Sequence, residues 1–254
     1  MLGDRSAMLL SAPGSEGFAL CLTAAAVGAV HTILGPDHYV PFVAMSQAGR
    51  WTLGKTLRVT AGCGLAHVAG SVAIGLVGIL LGMAVMRLEA LESFRGDVAA
   101  WLMIGFGLAT MTWGLVRAAR SNRPHDHVHA HADGTVHAHP RTHDAPHLHV
   151  HAADAAAVAA VPVWSPWLLF LVFAFGPCEP LIPLLMVPAA RASWWAVAAV
   201  AAVFTAATLL TMAAAVVVLR SGVSCLPSSG LQRYAHAIAG AAILGCGVLI
   251  TLGL

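Results

Sequence analysis

Charge is what this 254-residue chain has least of: Asp, Glu, Lys and Arg make up 9% of it, where a soluble domain carries roughly a quarter. Together with 59% apolar residues and a mean hydropathy of +0.81, that scarcity excludes an ordinary water-soluble fold and points to a bilayer. Basic stretches interleaved with aromatics are also missing, and the formal net charge is only +2, which argues against a nucleic-acid partner. The five cysteines contain no CxxC pair and set no disulfide framework. No phosphate-cradling glycine motif suggests coupling to ATP. The apolar run Met8-Leu9-Leu10, flanked by Asp4, Arg5 and Glu16, is too brief for a secretory signal, so the first true span is expected to act as the targeting signal itself.

What the chain does have is long apolar runs, near 17 to 34, 59 to 83, 98 to 116, 163 to 186, 193 to 219 and 234 to 254. Each approaches or exceeds the roughly 20 residues that cross a bilayer as helix, so the expectation is an all-α membrane protein of six transmembrane helices. Counted by alternating sides, four Lys and Arg fall on the side of both termini and nine on the other. The positive-inside rule then puts the nine-charge side in the cytoplasm and both termini outside. Between spans 2 and 3, Arg87 to Arg95 reads as a short amphipathic helix at the outer interface, with Leu88, Leu91 and Phe94 on its apolar face. No chemistry is assigned to it.

Two Gly-Pro pairs, Gly35-Pro36 and Gly176-Pro177, lie 141 residues apart, as do Arg50 and Arg191. Proline removes a backbone donor and clashes with the preceding turn, so helices 1 and 4 should break there. Gly-Pro-Asp-His-Tyr-Val-Pro at 35 to 41 answers Gly-Pro-Cys-Glu-Pro-Leu-Ile-Pro at 176 to 183, and three spans per half make the second half insert upside down. The expected architecture is therefore a 3+3 inverted repeat, in which broken helices meet near the midplane to form a substrate site. Its domains would be residues 1–120 and 163–254, separated by a loop over 121–162 that is rich in His, Asp, Ala and Pro and expected to be disordered until it binds something.

Ionisable groups at bilayer depth are costly and default to function. His31, Asp37 and His38 surround the first break, and imidazole nitrogens suit nickel, cobalt, copper and zinc, while a carboxylate offsets divalent charge in low dielectric. His67, mid-way along span 2, is the fourth candidate ligand. At the second break Cys178 and Glu179 occupy the positions that Asp37 and His38 hold at the first, and could complete a metal shell. Thr205 and Thr208 fall in the region corresponding to His67 and are expected to bond back to their own helix. The loop adds ten histidines within 27 residues: His125, His127, His129, His131, His137, His139, His143, His147, His149 and His151. Mostly at i, i+2 spacing, they would bind borderline metals with fast exchange, collecting ions rather than caging one. With no Lys or Arg expected inside the spans to meet an anion, an oxyanion cargo is disfavoured.

The His31 and Pro36-Asp37-His38 signature, the six spans and the histidine-rich middle loop together resemble the NicO/RcnA nickel and cobalt efflux family and the related UreH-type membrane proteins. The His31-to-His38 spacing is slightly longer than that family's pattern. The resemblance implies a transporter rather than an enzyme, without prosthetic group, moving Ni2+ or Co2+, and also Zn2+, out across a bacterial inner membrane. Its partners would be the metal ion and the lipid bilayer, and a homo-oligomer is compatible with it. The second half also looks like the CcdA/DsbD transmembrane reductant conduits, whose Pro-Cys motifs Gly176-Pro177-Cys178-Glu179-Pro180 matches. Those relay electrons through a cysteine from each repeat, and Asp37 stands where the first repeat would need one. A metal-delivery role without transport, as in urease accessory proteins, is the third alternative.

Overall fold

In a computed structural model, residues 13–121, 125–130, 136–141, 164–191, 193–224 and 232–253 are described. Apart from one hairpin these residues are helical. The first helix, α1 (Pro13–Leu34), ends where Pro36 forces the residue before it out of the helical region. Gly35 sits at φ −89°, ψ 93°, and a single 3-10 turn, Pro36–His38, leads into the short α2 (Val40–Ala48). Arg50 then adopts φ 50° to turn the chain, and Thr52 caps α3 (Leu53–Leu80) by accepting from the Lys55 amide. A left-handed Gly82 closes α3, and α4 (Val85–Ser121) follows.

The second half runs through α5 (Trp164–Phe175), an interruption over 176 to 180, the short α6 (Leu181–Ala190), α7 (Trp194–Ser224) and, after a 3-10 turn Gln232–Tyr234, α8 (Ala235–Thr251). Among the described residues five helices, α1, α3, α4, α7 and α8, are long and apolar enough to cross a membrane. The expected fourth span is divided into α5 and α6, neither of which is long enough alone.

Two expectations change. The segment from Arg87 to Arg95 is not a separate interfacial helix but the first turns of the 37-residue α4, about 55 Å long at 1.5 Å per residue. Its stripe is also turned: Leu91 and Phe94 are exposed, whereas Leu88 and Glu92 are buried. In a bilayer the apolar face can look outward and the polar one inward, the reverse of a helix lying at the interface. The loop expected to lack structure contains an antiparallel hairpin, β1 (His125–Ala130) with β2 (Val136–Arg141), whose register sets His127 opposite His139 and His129 opposite His137.

Packing crosses between the halves. The most extensive pairing is α4 with α8, and α1 packs on α7 as α3 packs on α5. Gly107 and Gly114 of α4 press on the α8 backbone at Leu244 and Ala237, while Gly240 and Gly247 of α8 press on the α4 backbone near Met111 and Ile104. Lacking side chains, these four positions let the two helices touch main chain to main chain. Buried residues fall into two apolar clusters. One gathers Phe42, Phe173, Met45, Met212, Cys63 and Cys246, and the other gathers Ala24, Val68, Cys178, Leu181, Val200 and Phe204.

Candidate metal centre

At the first break, α1 delivers His31 from its last turn and the 3-10 turn delivers His38, while α3 brings His67 across from its middle. The three offer ligand nitrogens that all lie within 4.8 Å of one another. His38 forms the middle of the row: its ring centroid is 4.8 Å from that of His31 and 5.0 Å from that of His67, edge to face both times. His38 is 3% exposed and His67 2%.

Hydrogen bonding fixes which nitrogen of His38 is available. Its Nδ1 lies 3.2 Å from the Gly35 carbonyl and 3.2 Å from Asp37 Oδ1. Both neighbours only accept, so Nδ1 carries the proton and donates, and Nε2 keeps its lone pair. That Nε2 is buried without a partner, as is His31 Nε2. Neither ring nitrogen of His67 makes a hydrogen bond of acceptable geometry, although the Phe173 carbonyl stands near the ring. Buried polar atoms are nearly always satisfied, so lone pairs on three adjacent imidazoles form the kind of donor set a cation fills. Asp37 holds the His38 ring through that contact, the arrangement a carboxylate commonly takes behind a metal-bound histidine.

Each Gly-Pro glycine seats one of these rings. A Cβ on Gly35 would lie 2.5 Å from His38 Nδ1, and one on Gly176 would lie 2.8 Å from His67 Nδ1. The φ of Gly35 is one any residue adopts, so glycine is needed there for room and not for backbone freedom.

A cavity of about 630 Å³ adjoins the row, lined by His31, Asp37 and His38 on one side and by Pro177, Glu179 and Pro180 on the other, with Ile250 and Gly253 at the end of α8. At about 30 Å³ per water it would hold roughly 20 waters, ample for a hydrated cation. Glu179 therefore faces the cavity but is exposed and stands outside the imidazole group. Cys178 is turned away: fully buried, it packs in the apolar cluster with Ala24, Val68 and Leu181.

The second break is held by a network that sequence reasoning missed. Arg95 donates to the carbonyls of Ala174 (3.0 Å) and Gly176 (3.2 Å), capping the end of α5, and is ion-paired with Glu92. Glu92 accepts from Ser71 Oγ at 2.7 Å and from the Cys178 amide at 3.0 Å. Arg95 is thus a cation within the packed interior, where none was expected. Its signal is the spacing Leu88, Glu92, Arg95, Ala99, a helical face that carries the most heavily buried acid among the described residues. Among the remaining candidates, Thr205 does bond back to Ala201. Thr208 does not, its buried hydroxyl lying beside Gly28 with no partner. Of the loop histidines, His125, His127, His129, His137 and His139 lie on the strands; His131, His143, His147, His149 and His151 lie outside the described residues. No family model matches the chain, and no curated protein or solved structure matches it.

Proposed function

We propose that the chain is a secondary transporter of divalent transition-metal ions, with nickel or cobalt as cargo and export as its direction. The observation that carries this reading is the row His31, His38 and His67, half-buried at His31 and buried at the other two, with ligand nitrogens within 4.8 Å of one another. Around a metal bound at about 2.1 Å, nitrogens of a tetrahedral shell stand about 3.4 Å apart. The row is therefore close to a ligating arrangement yet open, and a small closure around an ion would complete it. An incomplete shell that water or Glu179 could finish suits a cargo that must leave. Three imidazoles accept nickel, cobalt, copper and zinc alike; the choice among them comes from the resemblance to nickel and cobalt exporters. Reciprocal packing of α1 on α7 and α3 on α5 supports an inverted repeat whose two halves rock against each other. The histidine loop would gather ions on the cytoplasmic side, and protons would favour release on the other, because an imidazole of ordinary pKa near 6.5 loses its metal as it protonates. A thiol relay would require Cys178 to meet a second cysteine; Cys63 and Cys246 belong to the other apolar cluster, which leaves Cys21 of α1 among the described residues.

The test is metal content and tolerance of cells carrying the wild-type chain, His38→Ala, or a deletion of 125 to 151. Lower nickel or cobalt content with wild type, lost in His38→Ala and weakened in the deletion chiefly at low external metal, is the expected result. Metal content that is the same with and without the chain would overturn the reading.

A further inference from the structure

The imidazole row has one wet end and one dry end. His31 and His38 line the cavity, but His67 does not; it lies behind His38 at 5.0 Å. Behind His67 comes Phe173, 6.5 Å away between ring centroids, and against Phe173 lies Phe42 at 4.5 Å. Phe42 is 0% exposed and Phe173 4%. The two rings come from opposite halves of the chain, each next to a break: Phe42 follows His38 by four residues, and Phe173 precedes Gly176 by three. Beyond them the first apolar cluster continues through Met45, Met212 and Cys63 toward the end of the bundle where Arg220 binds the Trp51 carbonyl and Thr56.

We infer that the Phe42–Phe173 pair is the closed gate of the metal path, sealing the imidazole row from the arginine-rich end of the bundle while the cavity leaves it open at the end near the C-terminus. An ion at His67 faces two aromatic rings and, behind them, an apolar cluster with Met45 and Met212, so passage requires the rings to part. Because one ring belongs to each broken segment, the displacement of one half against the other that would close the cavity is also the motion that separates them. The inference rests on the transport reading for its purpose, but its geometry concerns water access and can be tested without any metal.

Two native cysteines report on the gate. Cys63 (1% exposed) and Cys246 (4%) lie in the same cluster as Phe42 and Phe173, whereas Cys178 (0%) lies in the other. The experiment is labelling of the membrane-embedded protein by a charged maleimide, with sites resolved by peptide mass. Wild type should leave all three unlabelled, and Phe42→Ala and Phe173→Ala, by opening a void beside the row that water can fill, should raise labelling of Cys63 or Cys246 about tenfold while Cys178 stays protected. If Cys178 is labelled in both alanine variants, packing as a whole has loosened, and Phe42→Leu decides: a smaller rise confined to Cys63 or Cys246 supports the gate, and no rise overturns it. Unchanged labelling in the alanine variants, or ready labelling of Cys63 in wild type, also overturns it. Failure of the transport reading would show separately, as cell metal content indifferent to the chain while the labelling pattern persists.

Discussion

The two breaks share a Gly-Pro pair 141 residues apart and are stabilised in opposite ways. The first is capped by its own residues: His38 Nδ1 donates to the Gly35 carbonyl and the Tyr39 hydroxyl donates to the Ile33 carbonyl at 3.0 Å. The second has no such local partners and depends on Arg95 and Glu92 from a different helix. A break that caps itself can present its remaining polar atoms to a ligand. One whose carbonyls and amide are already taken by a buried ion pair has little left to offer: Cys178 ends in apolar packing, and Glu179, one residue further, brings a carboxylate to the cavity between Pro177 and Pro180.

The largest effect should come from breaking the foreign cap. Arg95→Ala leaves Glu92, fully buried, without its counter-ion, and leaves the carbonyls of Ala174 and Gly176 without their donor. Removing one partner of a buried pair costs about 3–5 kcal/mol. Thermal unfolding in detergent should register the loss, and the double change Glu92→Gln with Arg95→Gln should recover part of it. A stability close to wild type in Arg95→Ala would mean that the second break does not need its cap.

At the first break the prediction concerns binding, measured on protein that still folds although His38→Ala gives up the Nδ1 bond to the Gly35 carbonyl. His38→Ala removes the central ligand of three, and if a full four-ligand site is worth about 10–16 kcal/mol, one ligand is worth about 3 kcal/mol, a hundredfold or more in metal affinity. Calorimetric titration of nickel or cobalt into the purified protein should detect that loss, while Cys178→Ala at the corresponding place in the second break should leave affinity within about twofold. Equal losses in the two variants would erase the distinction between the breaks.

Much of this contrast can be read from the residues alone, for reasons that also explain what cannot. His31, His38 and His67 stand out because ionisable groups are rare in apolar spans, and both breaks are visible because proline acts locally, on the residue beside it. Arg95 and Glu92 do not stand out in the sequence, because Leu88, Leu91 and Phe94 fit the face of a helix lying at a water interface. Periodicity alone does not say which face a bilayer covers, and here Phe94 is exposed and Glu92 is not. The matched Gly-Pro pairs make Cys178 a candidate ligand, but matching sequence positions do not imply matching side-chain directions once one break is pinned from outside. The separate role of Asp37, holding His38 instead of joining the shell, depends on a 3.2 Å contact that no spacing encodes.

Asp37 supplies the next, smaller effect. Asp37→Asn keeps the shape but can no longer hold the Nδ1 proton as a charged acceptor, and changes of this kind behind a ligating histidine lower metal affinity about 10- to 100-fold. Were Asp37 instead a direct ligand, Asp37→Asn and His38→Ala would weaken binding equally. The affinity should also fall as the pH drops, since protons compete with the ion for the imidazole lone pairs.

The smallest effect is the most discriminating, because it tests the one point at which the second break touches the metal centre. Gly176→Ala would set a methyl 2.8 Å from His67 Nδ1 and 3.2 Å from the Phe173 carbonyl, so the ring must move by a few tenths of an ångström while the Arg95 cap stays in place. Metal affinity should fall about tenfold with little change in unfolding temperature, since a displacement of that size spoils ligand geometry more than it costs packing energy. Gly62→Ala, where a Cβ meets nothing within 4 Å, is the control on the same α3 as His67 and should leave affinity unchanged. Should Gly176→Ala lower stability and spare affinity, the second break would be structural throughout, and His67 would hold its place without it. A fall in affinity alone would mean that the break pinned by Arg95 serves the centre indirectly, by holding a wall against which the third imidazole is pressed toward the other two.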